Sequence, residues 1–196
     1  MNAQKNLRMW FLVWIFSSCY LPHLFTVSSL PLKRTDTSTN HSCMLSKTDF
    51  QKSYIKNHVY SLAKEGRFFD KDTQNRFIGQ HLFVNITEGD RCYLMKRVSD
   101  IVVTDVLADK KNQYSRIQEV ATFLIHLNMQ LSKCKSLGDG MNIERNLNQM
   151  KDKLDQLGED GKNKAVGELD LLFEYLEKTC TEAPKKSSNQ TGKKKH

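Results

Sequence analysis

Apolar residues in the middle of the chain recur at steps of three and four, which is the spacing of an amphipathic helix. The clearest of these stripes comprises Ile117, Val120, Leu124, Leu127, Leu131 and Cys134. A second stripe extends from Ile143 to Leu157 and is followed by Gly158, a residue typical of helix ends. A third extends from Ala165 to Leu176. The pattern therefore predicts three helices in the C-terminal half of the chain.

Two longer helices are predicted in the N-terminal half. Ser46 begins an S-x-x-D capping box, so a helix is expected to start there and to run to Gly66. Another apolar stripe predicts a helix over about 90–108. The β-branched run 101–104 within that stripe also suits a strand, so this element is the less clearly helical of the two.

The intervening segment and the distribution of proline complete the predicted fold. A short helical piece is expected around 78–84, and the polar stretch 67–75 is expected to be a crossover connection. Proline interrupts helices more strongly than any other residue, and none occurs between residues 32 and 183. The fold class predicted is therefore an all-α bundle of five or six helices.

The first 29 residues have the pattern of a secretory signal peptide. A short basic stretch precedes an apolar run over 9–16, and Val27 and Ser29 are small residues at the spacing that signal peptidase recognises. Pro22 interrupts the apolar stretch before it reaches the roughly 18–20 residues that a membrane span needs. We therefore expect cleavage after Ser29, secretion, and no membrane insertion.

The remaining chain divides into an arm, a body and a tail. Residues 30–42 are polar without periodicity, 43–182 hold the predicted helices, and 183–196 form a basic low-complexity tail that is expected to be disordered. The tail has five lysines and no acidic residue, so it carries most of the net charge of +8. The body therefore lacks the basic face of a nucleic-acid-binding domain, and no nucleic-acid partner is expected.

Cysteine usage fits an exported protein. Beyond the predicted signal peptide, the chain has Cys43, Cys92, Cys134 and Cys180. Four cysteines in an extracellular chain predict two disulfides, and the sequence by itself leaves three pairings open. Sequons at Asn40, Asn85 and Asn189 predict N-glycosylation.

No combination of residues in the sequence is typical of an enzyme. The chain has no H-E-x-x-H pair, no G-x-S-x-G turn, no glycine-rich phosphate loop and no C-x-x-C pair, and its histidines are scattered. We therefore expect no catalytic residues, no metal and no cofactor.

Two segments of the body are distinctive, RCYLMK at 91–96 and AVGELDLLF at 165–173. They resemble the interleukin-22 family of class II helical cytokines, a branch of the interleukin-10 family. Shorter matches occur in the same order at 62–65, 78–79, 118–120 and 143–146, so the resemblance covers about 42–180. The ELDLL core taken alone would also admit interleukin-26 or another interleukin-10 relative.

The resemblance implies a six-helix up-down bundle with crossover connections and the disulfides Cys43–Cys134 and Cys92–Cys180. It implies a secreted cytokine that binds the interleukin-22 receptor alpha-1 chain and then the interleukin-10 receptor beta chain. Janus kinase and STAT signalling in epithelial and other non-blood cells would follow. A soluble interleukin-22 binding protein is a further implied partner.

The resemblance also implies two receptor-binding surfaces. The alpha-1 surface, in the loop after the first long helix and on the last helix, comprises Thr73, Gln74, Arg76, Lys164, Gly167, Glu168 and Phe173. The beta-chain surface comprises Tyr54, Asn57, His58, Arg116 and Glu119. Lys164 and Glu168 are four residues apart, so they are expected to share one exposed helix face. Gly167 suits close approach by a partner or by a neighbouring helix, and Phe173 suits the core as well as an interface.

The sequence departs from the family pattern at several of these positions. Gln74 replaces an acidic residue, Arg116 stands where an aromatic is expected, and Asp100 replaces the asparagine of a family sequon. The basic tail is an addition and could bind heparan sulfate. Three other interpretations remain open at this point: a cationic antimicrobial protein, a glycosaminoglycan-binding helical protein without signalling, and a four-cysteine helical carrier of small apolar ligands.

Overall fold

The computed structural model describes residues 43–110 and 113–181, and within these ranges it contains helices and no strand. The six α-helices are α1 (Lys47–Phe50), α2 (Ser53–Phe69), α3 (Arg91–Ile101), α4 (Ile117–Gln130), α5 (Met141–Gly167) and α6 (Leu169–Cys180). Short 3-10 turns occupy Gln80–Phe83 and Glu88–Asp90. The predicted signal peptide, arm and basic tail lie outside the described residues, as do Asn40 and Asn189.

Helix α2 lies at the centre of the bundle, where it packs against α4, α5 and α6. The rings of Phe50, Phe123 and Phe173 meet beside it, with centroids 5.2–6.1 Å apart. Aromatic pairs at such distances add about 0.5–1.5 kcal/mol to what burial alone contributes. The amphipathic stripes therefore converge on one apolar core, which confirms the predicted all-α bundle.

The prediction of one continuous helix from Ser46 to Gly66 is wrong. The Ser46 hydroxyl does accept a hydrogen bond from the Thr48 amide at 3.3 Å, but the helix that it caps ends at Phe50. Lys52 is extended, with φ −66° and ψ 104°, and a new helix begins after it. The capping box does not close, because the Asp49 carboxylate binds Lys52 and Gln130 instead. This break accompanies burial of Phe50 in the core, where it is 2% exposed.

The helix predicted over about 90–108 is confirmed. Helix α3 continues directly into a π-helical turn at Val102–Leu107, so the β-branched run belongs to a helix and not to a strand. The Thr104 hydroxyl donates to the Asp100 carbonyl at 3.0 Å, so this polar side chain finds its hydrogen-bond partner within the helix. The short piece expected around 78–84 is the 3-10 turn Gln80–Phe83.

The C-terminal helices differ from the predicted ones at their boundaries. The helix was predicted to end at Gly158, and this residue does leave the helical conformation with φ 54° and ψ −121°, but the chain then resumes a helix that continues to Gly167. The helix expected from Ala165 to Leu176 is instead divided at Glu168, which lies between α5 and α6 with φ −105° and ψ 12°. Lys164 and Glu168 therefore do not belong to one uninterrupted helix.

The disulfide pairing implied by the resemblance is confirmed. Cys43 joins Cys134 and Cys92 joins Cys180, with Cα atoms 4.6 and 4.9 Å apart. The bridges span 91 and 88 residues of sequence. Loop-closure entropy for such lengths corresponds to about 4–5 kcal/mol per bridge. Both bridges therefore tie together parts of the bundle that are distant in sequence.

Two glycines allow α2 and the end of α5 to approach closely. A Cβ added to Gly66 would lie 2.5 Å from the Gly167 backbone nitrogen and 2.8 Å from the Val166 carbonyl carbon. A Cβ on Gly167 would lie 3.2 Å from the Arg67 nitrogen. These atoms belong to backbone and not to movable side-chain ends, so the two helices must separate to admit a side chain.

We predict that Gly66→Ala lowers the free energy of unfolding by about 1–3 kcal/mol, which is the usual cost of overpacking. Alanine gains about 1 kcal/mol in helix propensity over glycine, but the backbone clash outweighs this gain. Gly138→Ala is the matched control, because its added Cβ would lie an ordinary 3.8 Å from a carboxylate oxygen of Asp90. Urea unfolding of the three proteins measures the difference, and equal stability of Gly66→Ala and wild type would contradict the close helix contact.

Candidate functional site

The loop after α2 folds around two aspartates. The Asp70 carboxylate accepts a hydrogen bond from the Asp72 amide at 2.9 Å. The Asp72 carboxylate in turn accepts from the amides of Gln74 and Asn75, at 2.9 and 3.2 Å. Such side-chain-to-backbone bonds define Asx turns. They shape residues 70–75 into a compact turn on which Thr73 and Gln74 are exposed.

Lys164 fastens this loop to the end of α5. Its ammonium donates to the Asp70 carboxylate at 2.9 Å and to the Asp72 carbonyl oxygen. Lys164 is 5% exposed and its partner Asp70 is largely buried. Removing one partner of a buried pair leaves the other charge uncompensated, which typically costs about 3–5 kcal/mol. Lys164 therefore holds the loop from the side of the bundle and does not project into solvent.

Glu168 holds the next part of the same loop. Its carboxylate accepts hydrogen bonds from the amides of Phe77 and Ile78, at 2.9 and 2.7 Å. Burial raises the pKa of Glu168 above its ordinary value, although the two amides and the positive charges of Lys164 and Arg76 favour the ionised form. Glu168, which lies between the last two helices, thus accepts hydrogen bonds from a loop about 90 positions earlier in the sequence.

The expectation that Lys164 and Glu168 share one exposed helix face is therefore wrong, since both are buried against the loop. Gly167 is buried as well, and its contact with Arg67 shows tight packing between helices. Phe173 is 2% exposed and belongs to the core. Of the seven positions assigned to the first surface, only those in the loop reach solvent: Thr73, Gln74 and Arg76.

Arg76 borders a groove of about 400 Å³ between the loop and α5. His81, Asn146 and Lys153 also line it. Burial lowers the pKa of His81, and the neighbouring positive charges of Lys153 and Arg76 lower it further. Next to the exposed loop, the groove thus carries the positive charges of Arg76 and Lys153 together with the carboxylate of Asp152.

The residues assigned to the second surface are brought together from α2 and the start of α4. The guanidinium of Arg116 lies 2.7 Å from Nε2 of His58, so the ring nitrogen accepts its hydrogen bond when the other nitrogen carries the proton. Tyr54 is 60% exposed and packs edge-on to the His58 ring, with centroids 6.2 Å apart. Asn57 lies on α2 and Glu119 on α4, and both side chains are exposed. Arg116 adopts φ 63° at the N-cap of α4, a left-handed conformation uncommon outside glycine.

The sequence-based interpretation missed the aspartates that build the loop. Asp70 and Asp72 belong to the stretch that the sequence predicts only as a polar crossover connection. The spacing of Asp, Asn and Gln over 70–75 is nevertheless a turn signal. The sequon residue Asn85 is exposed and has φ 59°. Its glycosylation remains a prediction.

The family model of "Interleukin 22 IL-10-related T-cell-derived-inducible factor" matches residues 43–180, the whole span between the first and last disulfide cysteines. The chain belongs to the interleukin-22 family. Interleukin-22 of Homo sapiens is 42% identical over 139 residues, which cover 70% of this chain and 78% of that protein. Interleukin-22b of Mus musculus is 42% identical over 142 residues, covering 72% and 79%.

Membership in the interleukin-22 family makes the chain a helical cytokine of the interleukin-10 group and supports a function other than catalysis. The family implies secretion and binding to class II cytokine receptors. Within the described residues, no helix has the length and apolar character needed to cross a membrane. No group of three or more potential metal ligands lies in that part of the chain either.

We predict that Glu168 makes the stability of this interleukin-22 family member depend on pH in a defined direction. Because the folded pKa is raised above 4.5, the contribution of Glu168 to stability is full below pH 4.5 and is lost as pH rises through the folded value. Glu168→Gln keeps an acceptor for the two amides but does not ionise. Its unfolding free energy relative to wild type should therefore increase as the pH rises from 4 to 7.

Urea unfolding of both proteins at several pH values measures this difference, and all other titrating groups cancel between them. A relative stability that is constant, or that falls as the pH rises, would show that the carboxylate is not desolvated by the loop.

Proposed function

We propose that the chain is a secreted cytokine that joins the interleukin-22 receptor alpha-1 chain to the interleukin-10 receptor beta chain. Receptor-bound Janus kinases would then activate STAT transcription factors in epithelial and other non-blood cells. One observation above all supports this proposal. Two exposed groups of residues lie near opposite ends of α2, one in the loop that follows it and the other on its first turns and the start of α4.

The length of α2 separates these groups. Tyr54 stands near its first residue and Asp70 directly follows its last. At a rise of 1.5 Å per residue, sixteen residues of helix correspond to about 24 Å. Two receptor chains bound at these ends would contact different side chains while remaining close neighbours. Such an arrangement suits a ligand whose function is to bring two membrane receptors together.

In this proposal, the first surface binds the alpha-1 chain through Thr73, Gln74 and Arg76. The other implied positions, Lys164, Gly167, Glu168 and Phe173, contribute by fixing the loop and the helices beneath it. A loop that is already held by buried hydrogen bonds loses little conformational entropy on binding. Arg76 can form a charge-assisted contact with a receptor carboxylate, which is stronger than a neutral hydrogen bond.

The second surface would bind the beta chain through Tyr54, Asn57, His58, Arg116 and Glu119. Tyr54 provides an exposed aromatic ring, the residue type enriched where binding energy is concentrated. The contact of His58 with Arg116 joins the two helices that carry this surface. An arginine at position 116 would offer the receptor a positive charge where the family pattern has an aromatic.

Further parts of the proposal rest on the sequence. Cleavage after Ser29 would release the mature chain, and glycans would be attached at Asn40, Asn85 and Asn189. A soluble interleukin-22 binding protein would compete for the first surface. The basic tail 183–196 would bind heparan sulfate at cell surfaces without taking part in receptor contacts.

Receptor reconstitution tests the proposed function. In cells expressing the alpha-1 chain, the beta chain or both, we expect STAT phosphorylation only when both are present. Arg76→Glu should weaken binding to the alpha-1 chain by about 2–5 kcal/mol, because it replaces a charged contact by a repulsive one. Arg145→Glu is the matched control, since the side chain of this exposed arginine, among the residues that the structure describes, bonds only to Asn142 in the same helix.

Surface plasmon resonance gives the affinities, and circular dichroism reports whether each variant is folded. Wild-type affinity of a folded Arg76→Glu variant would remove Arg76 from the first surface. Signalling in cells that lack both chains would refute the proposed receptor pair itself.

A further inference from the structure

Three large apolar side chains lie exposed around the turn 84–87, which joins the two short 3-10 turns. Val84 is 54% exposed, Leu137 is 59% exposed and Met141 is 72% exposed. Single apolar residues on a surface are ordinary, whereas several together mark a place that another group covers. None of the three belongs to either receptor surface. We name these three side chains the turn patch.

Contacts with the chain on either side of position 137 bring the turn patch together. Asn142, which follows Met141 in α5, donates from its side-chain amide to the Asn85 carbonyl oxygen at 3.3 Å. Leu137 lies against Gly89, because a Cβ added to this glycine would be 2.8 Å from the Leu137 Cδ1. The loop before α5 and the first turn of α5 therefore both adjoin the turn that carries Asn85.

Asn85 lies among the residues of the turn patch with its side chain in solvent. It has φ 59°, a left-handed conformation in which asparagine is enriched among residues other than glycine. The residue before it is held by α5, since the Asn146 side-chain amide donates to the Val84 carbonyl oxygen at 3.0 Å. The residue after it, Ile86, is buried in the core. The backbone of the turn is thus fixed from within, and position 85 is presented outwards.

Asn85 is also the first residue of a sequon, Asn-Ile-Thr. A glycan at this position would be attached next to Val84 and beside the two other members of the turn patch. Sugar rings have C–H faces that pack on apolar side chains and hydroxyls that remain in water. An oligosaccharide is therefore chemically suited to cover a patch that stays at the surface of the molecule.

We propose that an N-linked glycan on Asn85 covers the turn patch and keeps two copies of the chain from associating through it. This inference rests on the secretion and the Asn85 glycosylation of the proposed function and adds what the glycan does there. The point of attachment selects the occupant. A group tethered beside the patch is present at a high effective concentration, so it occupies the patch even when each contact is weak.

Oxidation of the full secreted chain by hydrogen peroxide measures the cover. Peroxide transfers an oxygen atom to an accessible methionine sulfur, giving the sulfoxide and water. Asn85→Gly removes the attachment site and keeps a residue suited to positive φ. In this variant Met141 should oxidise roughly three- to tenfold faster than in the wild type, since the cover is lost. Met129 is the internal control, because it is 68% exposed on α4, outside the turn patch.

Asn189→Gln is the matched glycosylation control, since it removes a sequon in the basic tail and leaves the turn patch unchanged. Its Met141 should oxidise at the wild-type rate. Sedimentation of the same proteins measures association, and Asn85→Gly should self-associate with a Kd roughly tenfold lower than that of the wild type. Adding Leu137→Ser and Met141→Ser to Asn85→Gly should return the protein to a monomer.

Mass mapping of the wild-type peptide that contains Asn85 separates two ways of failing. A glycan on Asn85 with equal Met141 oxidation in wild type and Asn85→Gly would overturn the cover and leave the glycosylation standing. An unmodified Asn85 in the secreted chain would overturn both together. Protection of Met141 in Asn85→Gly that disappears on dilution would make a second copy the occupant, which also overturns the inference.

Discussion

The carboxylate of Glu168 connects the last two helices to a loop that precedes it by about 90 residues. It accepts hydrogen bonds from the amides of Phe77 and Ile78 in a place where burial disfavours its charge. Lys164, one turn earlier in α5, holds the aspartates at the start of the same loop. An isolated buried carboxylate would be strongly destabilising, whereas one that receives amide donors is tolerated. These two residues set the position of the loop, and therefore of everything exposed on it.

The rest of the bundle provides a rigid base for this contact. Gly66 and Gly167 let α2 approach the end of α5 to backbone contact, which places Glu168 beside the loop. The disulfide from Cys180 ties α6 to α3, and the backbone amide of Leu45 donates to the Cys180 carbonyl at 2.9 Å. These links constrain the ends of α3 and α6 relative to each other. The first proposed surface is accordingly prepared before any receptor binds, and α2 joins it to the second.

The sequence predicted those features that depend on local periodicity or on family resemblance. The stripe from Ile117 to Cys134 predicts a helix, because burial of one face requires that spacing. The three disulfide pairings allowed by the cysteines alone were reduced to one by resemblance. By contrast, the break before Ser53 depends on burial of Phe50 by distant residues, which local capping signals do not report. The burial of Lys164 and Glu168 was missed because charged residues at helical spacing usually face solvent.

Amide hydrogen exchange at Phe77 and Ile78 tests most directly whether Glu168 holds the loop. In Glu168→Ala, which removes the acceptor, exchange at these two amides should become roughly 10- to 100-fold faster, as loss of charged hydrogen bonds of about 1.5–3 kcal/mol requires. Leu62 in α2 should keep its protection, and Glu168→Gln should leave Phe77 and Ile78 slowly exchanging. Unchanged exchange at both amides in Glu168→Ala, or equal loss of protection at Leu62, would contradict the role of Glu168 in fixing the loop.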